Sequence, residues 1–154
     1  MKKLSHIDSR GAARQVDVSA KPVVARHAVA RGEIRMQRGT IRKIAAWKIA
    51  KGNVFATARL AGILAAKKTA DLIPLCHSLP LAHCDVHLAV PASRDRIVIT
   101  ASARIDARTG VEMEALTAVA VAALTLYDMC KAVDKTMRIS GIRLVTKTKS
   151  QPTR

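Results

Sequence analysis

Asp128 and Lys131 close a run of 13 residues, Ala115 to Tyr127, that carries no charge. On a helix, a spacing of three sets both side chains on one face. Two readings fit the pair. Exposed, it is an ordinary ion pair worth little. In a cleft it is a proton-transfer couple, because each group changes how tightly the other holds its proton. Glu112 and Glu114 stand at the other end of the same run. They suit the positive end of a helix dipole or general acid–base work. Residues 114 and 128 are separated by about 21 Å of straight helix, more than a small substrate bridges within one subunit. If both ends serve active sites, a neighbouring subunit completes each site.

Other constellations carry less. His83, Cys84 and His87 lie near Cys76 and His77. On a strand, His83 and His87 face the same way but sit about 13 Å apart, too far for one zinc with bonds near 2 Å. No metal site is expected. There is no Gly-x-x-x-x-Gly-Lys-Ser/Thr loop, no Gly-x-Gly-x-x-Gly and no Gly-x-Ser-x-Gly elbow. Any phosphate must therefore be held by Lys and Arg side chains.

These residues need elements to position them. Partial alternation predicts a strand over Val29 to Met36. A stripe of Ile41, Ile44, Ala45 and Ile49 predicts a helix over Thr40 to Ala50. Asn53 caps a second helix running to about Thr69. Pro74 and Pro80 bracket a loop around Leu75-Cys76-His77-Ser78. Ala82 to Val90 and Arg96 to Asp106 read as a hairpin. A long helix follows over about Met113 to Val133, then a strand over Arg138 to Thr146 with a kink at Gly141. The order β, α, α, β, β, α, β fits an α+β sandwich of the ferredoxin-like type, with helices on one face of an antiparallel sheet. The long helix is apolar nearly all round, so it needs cover on two sides. A second subunit or the preceding helix supplies it.

The chain has 154 residues, with 27 Lys and Arg against 11 Asp and Glu. That length suits one domain, read as 1–154 with polar, mobile ends at about 1–12 and 148–154. The formal charge of +16 predicts an anionic partner. Only Trp47, Phe55 and Tyr127 are aromatic, which excludes a base-stacking platform for single strands. A basic, non-catalytic nucleic-acid-binding module remains the rival reading, supported by charge alone. Nine cations and no acid lie between Ile34 and Ala70, and six cations and no acid between Lys135 and Arg154. The apolar run falls short of the about 20 residues a bilayer span needs. No apolar segment follows the basic N-terminus, and three cysteines fit reduced thiols. A cytoplasmic protein is expected.

Four blocks are familiar in type and order. They are Lys51-Gly52-Asn53-Val54-Phe55-Ala56-Thr57-Ala58-Arg59-Leu60-Ala61-Gly62-Ile63, then Asp71-Leu72-Ile73-Pro74-Leu75-Cys76-His77. The third is Thr109-Gly110-Val111-Glu112-Met113-Glu114-Ala115-Leu116-Thr117 and the last Leu124-Thr125-Leu126-Tyr127-Asp128-Met129-Cys130-Lys131-Ala132-Val133. Together with Val16-Asp17-Val18-Ser19, they closely resemble the cyclic pyranopterin monophosphate synthase family of molybdenum cofactor biosynthesis, over about Ser5 to Lys147. The resemblance implies a ferredoxin-like fold in a homo-hexamer, a trimer of dimers, with active sites between subunits. It implies conversion of 3′,8-cyclo-7,8-dihydroguanosine triphosphate to cyclic pyranopterin monophosphate with release of pyrophosphate. A radical S-adenosylmethionine enzyme would supply that substrate, and no cofactor is implied. Lys51, His77, Glu112, Asp128 and Lys131 fall on catalytic positions by this resemblance. Leu75, Cys76 and His77, with Met113, Glu114 and Lys147, fall on substrate-binding ones. Ser78 stands where the family usually has Pro, and Asn53 where it has Asp.

Overall fold

A computed structural model describes residues 10–151. The elements are β1 (Val24–Arg35), α1 (Arg38–Ala45), α2 (Val54–Lys67), the single turn α3 (Thr69–Leu72), β2 (His83–Ala89), β3 (Arg96–Ala107), α4 (Glu112–Cys130) and β4 (Arg138–Ser150). The sheet order is β2-β3-β1-β4, antiparallel at every pairing. Two β-α-β units interleave: β1 and β2 flank β3, while β3 and β4 flank β1. This is the ferredoxin-like α+β sandwich that the element order predicts.

Alternation builds the inner face. Ala28, Ala30 and Ile34 of β1, Val86 of β2, and Ile97, Ile99, Ala101, Ala103 and Ile105 of β3 are buried. Their neighbours in sequence face the open side, as the strand period of two requires. Ala115, Ala118, Val119, Ala122, Ala123 and Leu126 of α4 close the core above them. Each fully buried Ile or Leu contributes about 1.5–3 kcal/mol. α2 lies beside α4 and over β2. The approach is tight, since a Cβ on Gly62 would sit 2.8 Å from the Ala118 carbonyl oxygen. The α2 start is as read: Asn53 Oδ1 accepts the Ala56 N–H at 3.0 Å.

Several boundaries differ from the sequence reading. β1 begins at Val24, five residues early, and β4 runs on to Ser150. One cause serves both: the added ends pair with each other, Ala25 opposite Ser150 and His27 opposite Thr148. Residues 148–150 are therefore sheet and not part of a loose end, whereas residues 1–9 and 152–154 lie outside those described. Gly141 has φ of 64°, beside a register shift against β1, which is the expected kink. α1 stops at Ala45, because Trp47 takes a left-handed φ of 58°. Ile49 still reaches the core, from a turn rather than from the helix. α4 ends at Cys130, with Lys131 as its cap.

α4 is long and apolar enough to cross a membrane by length and composition. Here it is the core helix, packed on β1, β3 and α2, with ten of its 19 residues buried. α2 thus gives part of the cover α4 needs. Leu124 of α4 and Leu60 and Leu64 of α2 stay exposed. His83 and His87 face the open side of β2 while Cys84 turns inward.

Candidate functional site

Beneath the Pro74–Pro80 loop lies a cavity of about 430 Å³. Leu75, Cys76, His77, Glu112, Met113 and Glu114 line it, so residues far apart in sequence meet there. The loop brings the first three, and the first turn of α4 brings the others. Val16, Val18 and Lys21 form the remaining wall with Leu79, Thr109 and Gly110. The sequence reading assigned none of these three a role. Val16 and Val18 belong to the Val16-Asp17-Val18-Ser19 stretch of the resemblance, where Asp17 Oδ1 accepts the Ser19 N–H at 2.8 Å.

The two glutamates are driven apart. Burial pushes Glu112 upward, but Lys147, its own backbone N–H and Arg26 outweigh burial and leave its carboxyl below the usual range. Lys147 Nζ donates to Glu112 Oε1 at 2.6 Å. Glu114 goes the other way: burial, aided by the charge on Glu112, raises it despite a bond from its own backbone N–H. Glu114 is 3% exposed, and its Oε2 has no hydrogen-bond partner among the described residues. Two adjacent carboxyls pushed in opposite directions by their surroundings are the pattern of an acid–base pair. The Cys76 thiol is raised by burial and by Glu114. That keeps it protonated and makes it a wall rather than a nucleophile.

A smaller cavity of about 180 Å³ adjoins, sharing Gly110 and Glu112 and lined also by Arg26, His27, Lys147 and Lys149. The Arg26 guanidinium donates to the carbonyls of Ala107 (3.4 Å) and Arg108 (3.3 Å). Three cations on a short stretch of wall make this the anion-receptive side of the site.

The other predicted residues gather elsewhere. At the C-terminal end of α4, Lys51 Nζ donates to Asp128 Oδ2 at 2.6 Å and Lys131 Nζ to Asp128 Oδ1 at 2.8 Å. Lys51 also bonds the Asp128 carbonyl, at 3.1 Å. Lys131 and then Lys51 hold the Asp128 carboxyl at about 2, and Asp128 in turn raises Lys131. The spacing of Asp128 and Lys131 predicted their contact; Lys51 joins from 77 residues away. This trio and the cavity sit at opposite ends of α4, so one subunit does not bring them together.

A cavity with a split carboxyl pair, a histidine and a cationic flank, on an α+β sandwich, has the constitution of a small-molecule enzyme for an anionic substrate. Comparison with known proteins specifies which. The MoaC family model matches residues 15–150, and the chain belongs to that family. It is 56% identical over 144 residues to cyclic pyranopterin monophosphate synthase of Chloroflexus aggregans, covering 94% of this chain and 87% of that one. It is 55% identical over 148 residues to the protein of that name from Heliobacterium modesticaldum, covering 96% and 93%. With the one from Parvibaculum lavamentivorans it shares 54% over 147 residues, covering 96% and 92%.

Proposed function

We propose that this chain forms cyclic pyranopterin monophosphate from 3′,8-cyclo-7,8-dihydroguanosine triphosphate and releases pyrophosphate, as a lyase of molybdenum cofactor biosynthesis. The observation that carries this is identity above half with relatives of that name along nearly the whole chain. The site supports it. Opening the guanine-derived ring, closing a new ring and closing a cyclic phosphate all move protons. Glu112, Glu114, His77 and the Asp128–Lys131 couple are the groups that can move them. The triphosphate takes the flank of Arg26, Lys147 and Lys149, and Lys51 steadies charge on the departing pyrophosphate.

The working form is a homo-hexamer, a trimer of dimers, in which Lys51, Asp128 and Lys131 of one subunit face the cavity of another. The separation of the two clusters along α4 supports this. So do the exposed Leu60, Leu64 and Leu124, which a second subunit would cover. A radical S-adenosylmethionine enzyme supplies the substrate, in the cytoplasm, and no cofactor takes part.

The test is to supply the cyclised triphosphate and follow pyrophosphate release and pterin fluorescence after oxidation. Product from the purified protein is expected, along with heat stabilisation by GTP analogues or pyrophosphate. Stabilisation by duplex DNA alone, without product, would overturn the proposal in favour of a nucleic-acid module.

A further inference from the structure

The loop that presents Leu75, Cys76 and His77 has no regular secondary structure. Its own backbone offers two short bonds, Cys76 N–H to the Ile73 carbonyl and Leu81 N–H to the Leu79 carbonyl, each 3.0 Å. Two further hydrogen bonds to the 74–80 loop come from two consecutive residues 61 positions upstream. Gln15 Nε2 donates to the Cys76 carbonyl oxygen at 2.8 Å. The Val16 carbonyl lies 2.9 Å from His77 Nε2. The Gln15–Lys21 segment is itself tied down, by Lys21 N–H to the Val18 carbonyl at 2.9 Å and by Arg108 Nε to the Lys21 carbonyl at 3.0 Å.

The second contact fixes the chemistry of His77. A carbonyl oxygen only accepts, so Nε2 must carry the hydrogen. In the neutral ring the lone pair is then on Nδ1, which has no protein partner among the described residues. His77 lines the larger cavity.

We propose that Gln15 and Val16 form a strap that sets His77 for the reaction. The Val16 carbonyl selects the Nε2–H tautomer, Gln15 holds the loop at Cys76, and Nδ1 is the nitrogen that takes a hydrogen bond or a proton from substrate. Gln15 is a positioning residue, acting through the loop and not on the reacting atoms. The inference rests on placing the substrate in this cavity.

The experiment compares four full-length proteins in the turnover assay: wild type, Gln15→Met (similar length, no donor), Gln15→Lys (donor restored) and His77→Ala. Losing one hydrogen bond in a reacting geometry lowers kcat about 3- to 10-fold. Gln15→Met should show that loss with KM changed less than about twofold, and Gln15→Lys should recover most of it. A purely structural Gln15 would show loss of melting temperature without this kcat-against-KM pattern. Independently of any Gln15 variant, histidine ring ¹⁵N spectra of the wild type at pH 8, assigned with His77→Asn, should show His77 as the Nε2–H tautomer. Normal kcat in Gln15→Met with an inactive His77→Ala overturns the strap alone. A raised KM at unchanged kcat, or an Nδ1–H tautomer, also overturns it. Normal turnover in His77→Ala instead overturns the placement of substrate in the cavity.

Discussion

Replacing Glu114 by Gln should make the protein more stable and nearly inactive, and the two effects should respond differently to pH. The Glu114 side chain is buried, and its Oε2 has no hydrogen-bond partner among the described residues. Gln keeps a polar atom at that position and removes only the charge, and an unpaired buried charge costs about 1–3 kcal/mol or more. At this chain length 1 kcal/mol moves the melting midpoint by about 2–4 °C, so removing the charge should raise it by roughly 2–12 °C at pH 8. The sign follows from the raised carboxyl. Below the ordinary Glu value of about 4.3, folded and unfolded states both hold the proton and the variant gains little. Above it the unfolded chain ionises freely while the folded chain resists, so the wild type loses stability that the Gln variant keeps. The midpoint difference should grow from near zero at pH 4 to its full size near pH 8. Turnover should fall by at least about 100-fold, the scale of a lost acid–base group. Thermal melts across pH, paired with the fluorescence assay, measure both. A Gln variant that melts lower than wild type at pH 8 would refute the reading that ionising Glu114 costs the folded protein stability. Turnover within about threefold of normal would remove Glu114 from the chemistry.

Lys131→Ala should abolish turnover in a folded oligomer, with the oligomer checked by light scattering, because Lys131 and Asp128 meet at the surface and not in the core. Asp134 is a structural counterpart. It is buried and accepts from Gln37 N–H, the Thr40 hydroxyl, Thr136 N–H and the Thr136 hydroxyl, at 2.8–3.0 Å. Burial pushes its carboxyl up, but these donors outweigh burial and hold it low. Asp134→Ala should therefore cost about 2–4 kcal/mol at pH 7 in denaturant melts. The gap should narrow as pH falls below the unfolded Asp value of about 3.9. Gly62→Ala drives a Cβ to 2.8 Å from the Ala118 carbonyl and should cost about 1–3 kcal/mol by the same melts, with turnover per folded molecule unchanged.

The sequence by itself determined whatever rests on local spacing. Asn53 caps α2 because its side chain needs only the amide three residues on. Asp128 and Lys131 meet because a helix makes neighbours of residues three apart. The alternating Ile and Ala of β3, the apolar α4 and the 91–95 turn likewise announced the hairpin, the core helix and the fold. The four blocks carried the resemblance to the family that the comparison shows. Only the tertiary structure decided what depends on distant partners. Lys51 reaches Asp128 across 77 residues, and the Val16 carbonyl reaches His77 across 61. β1 and β4 outrun their apolar patterns because each pairs with the other's end. Glu112 and Glu114 look alike in sequence, two residues apart on one helical turn. One faces Lys147 and the other a buried wall, and that difference in surroundings sets them to opposite sides of the ordinary carboxylate value. Periodicity records which face of an element is apolar. It does not record what the rest of the chain places against that face, and the charge state of a carboxyl is decided by what lies against it.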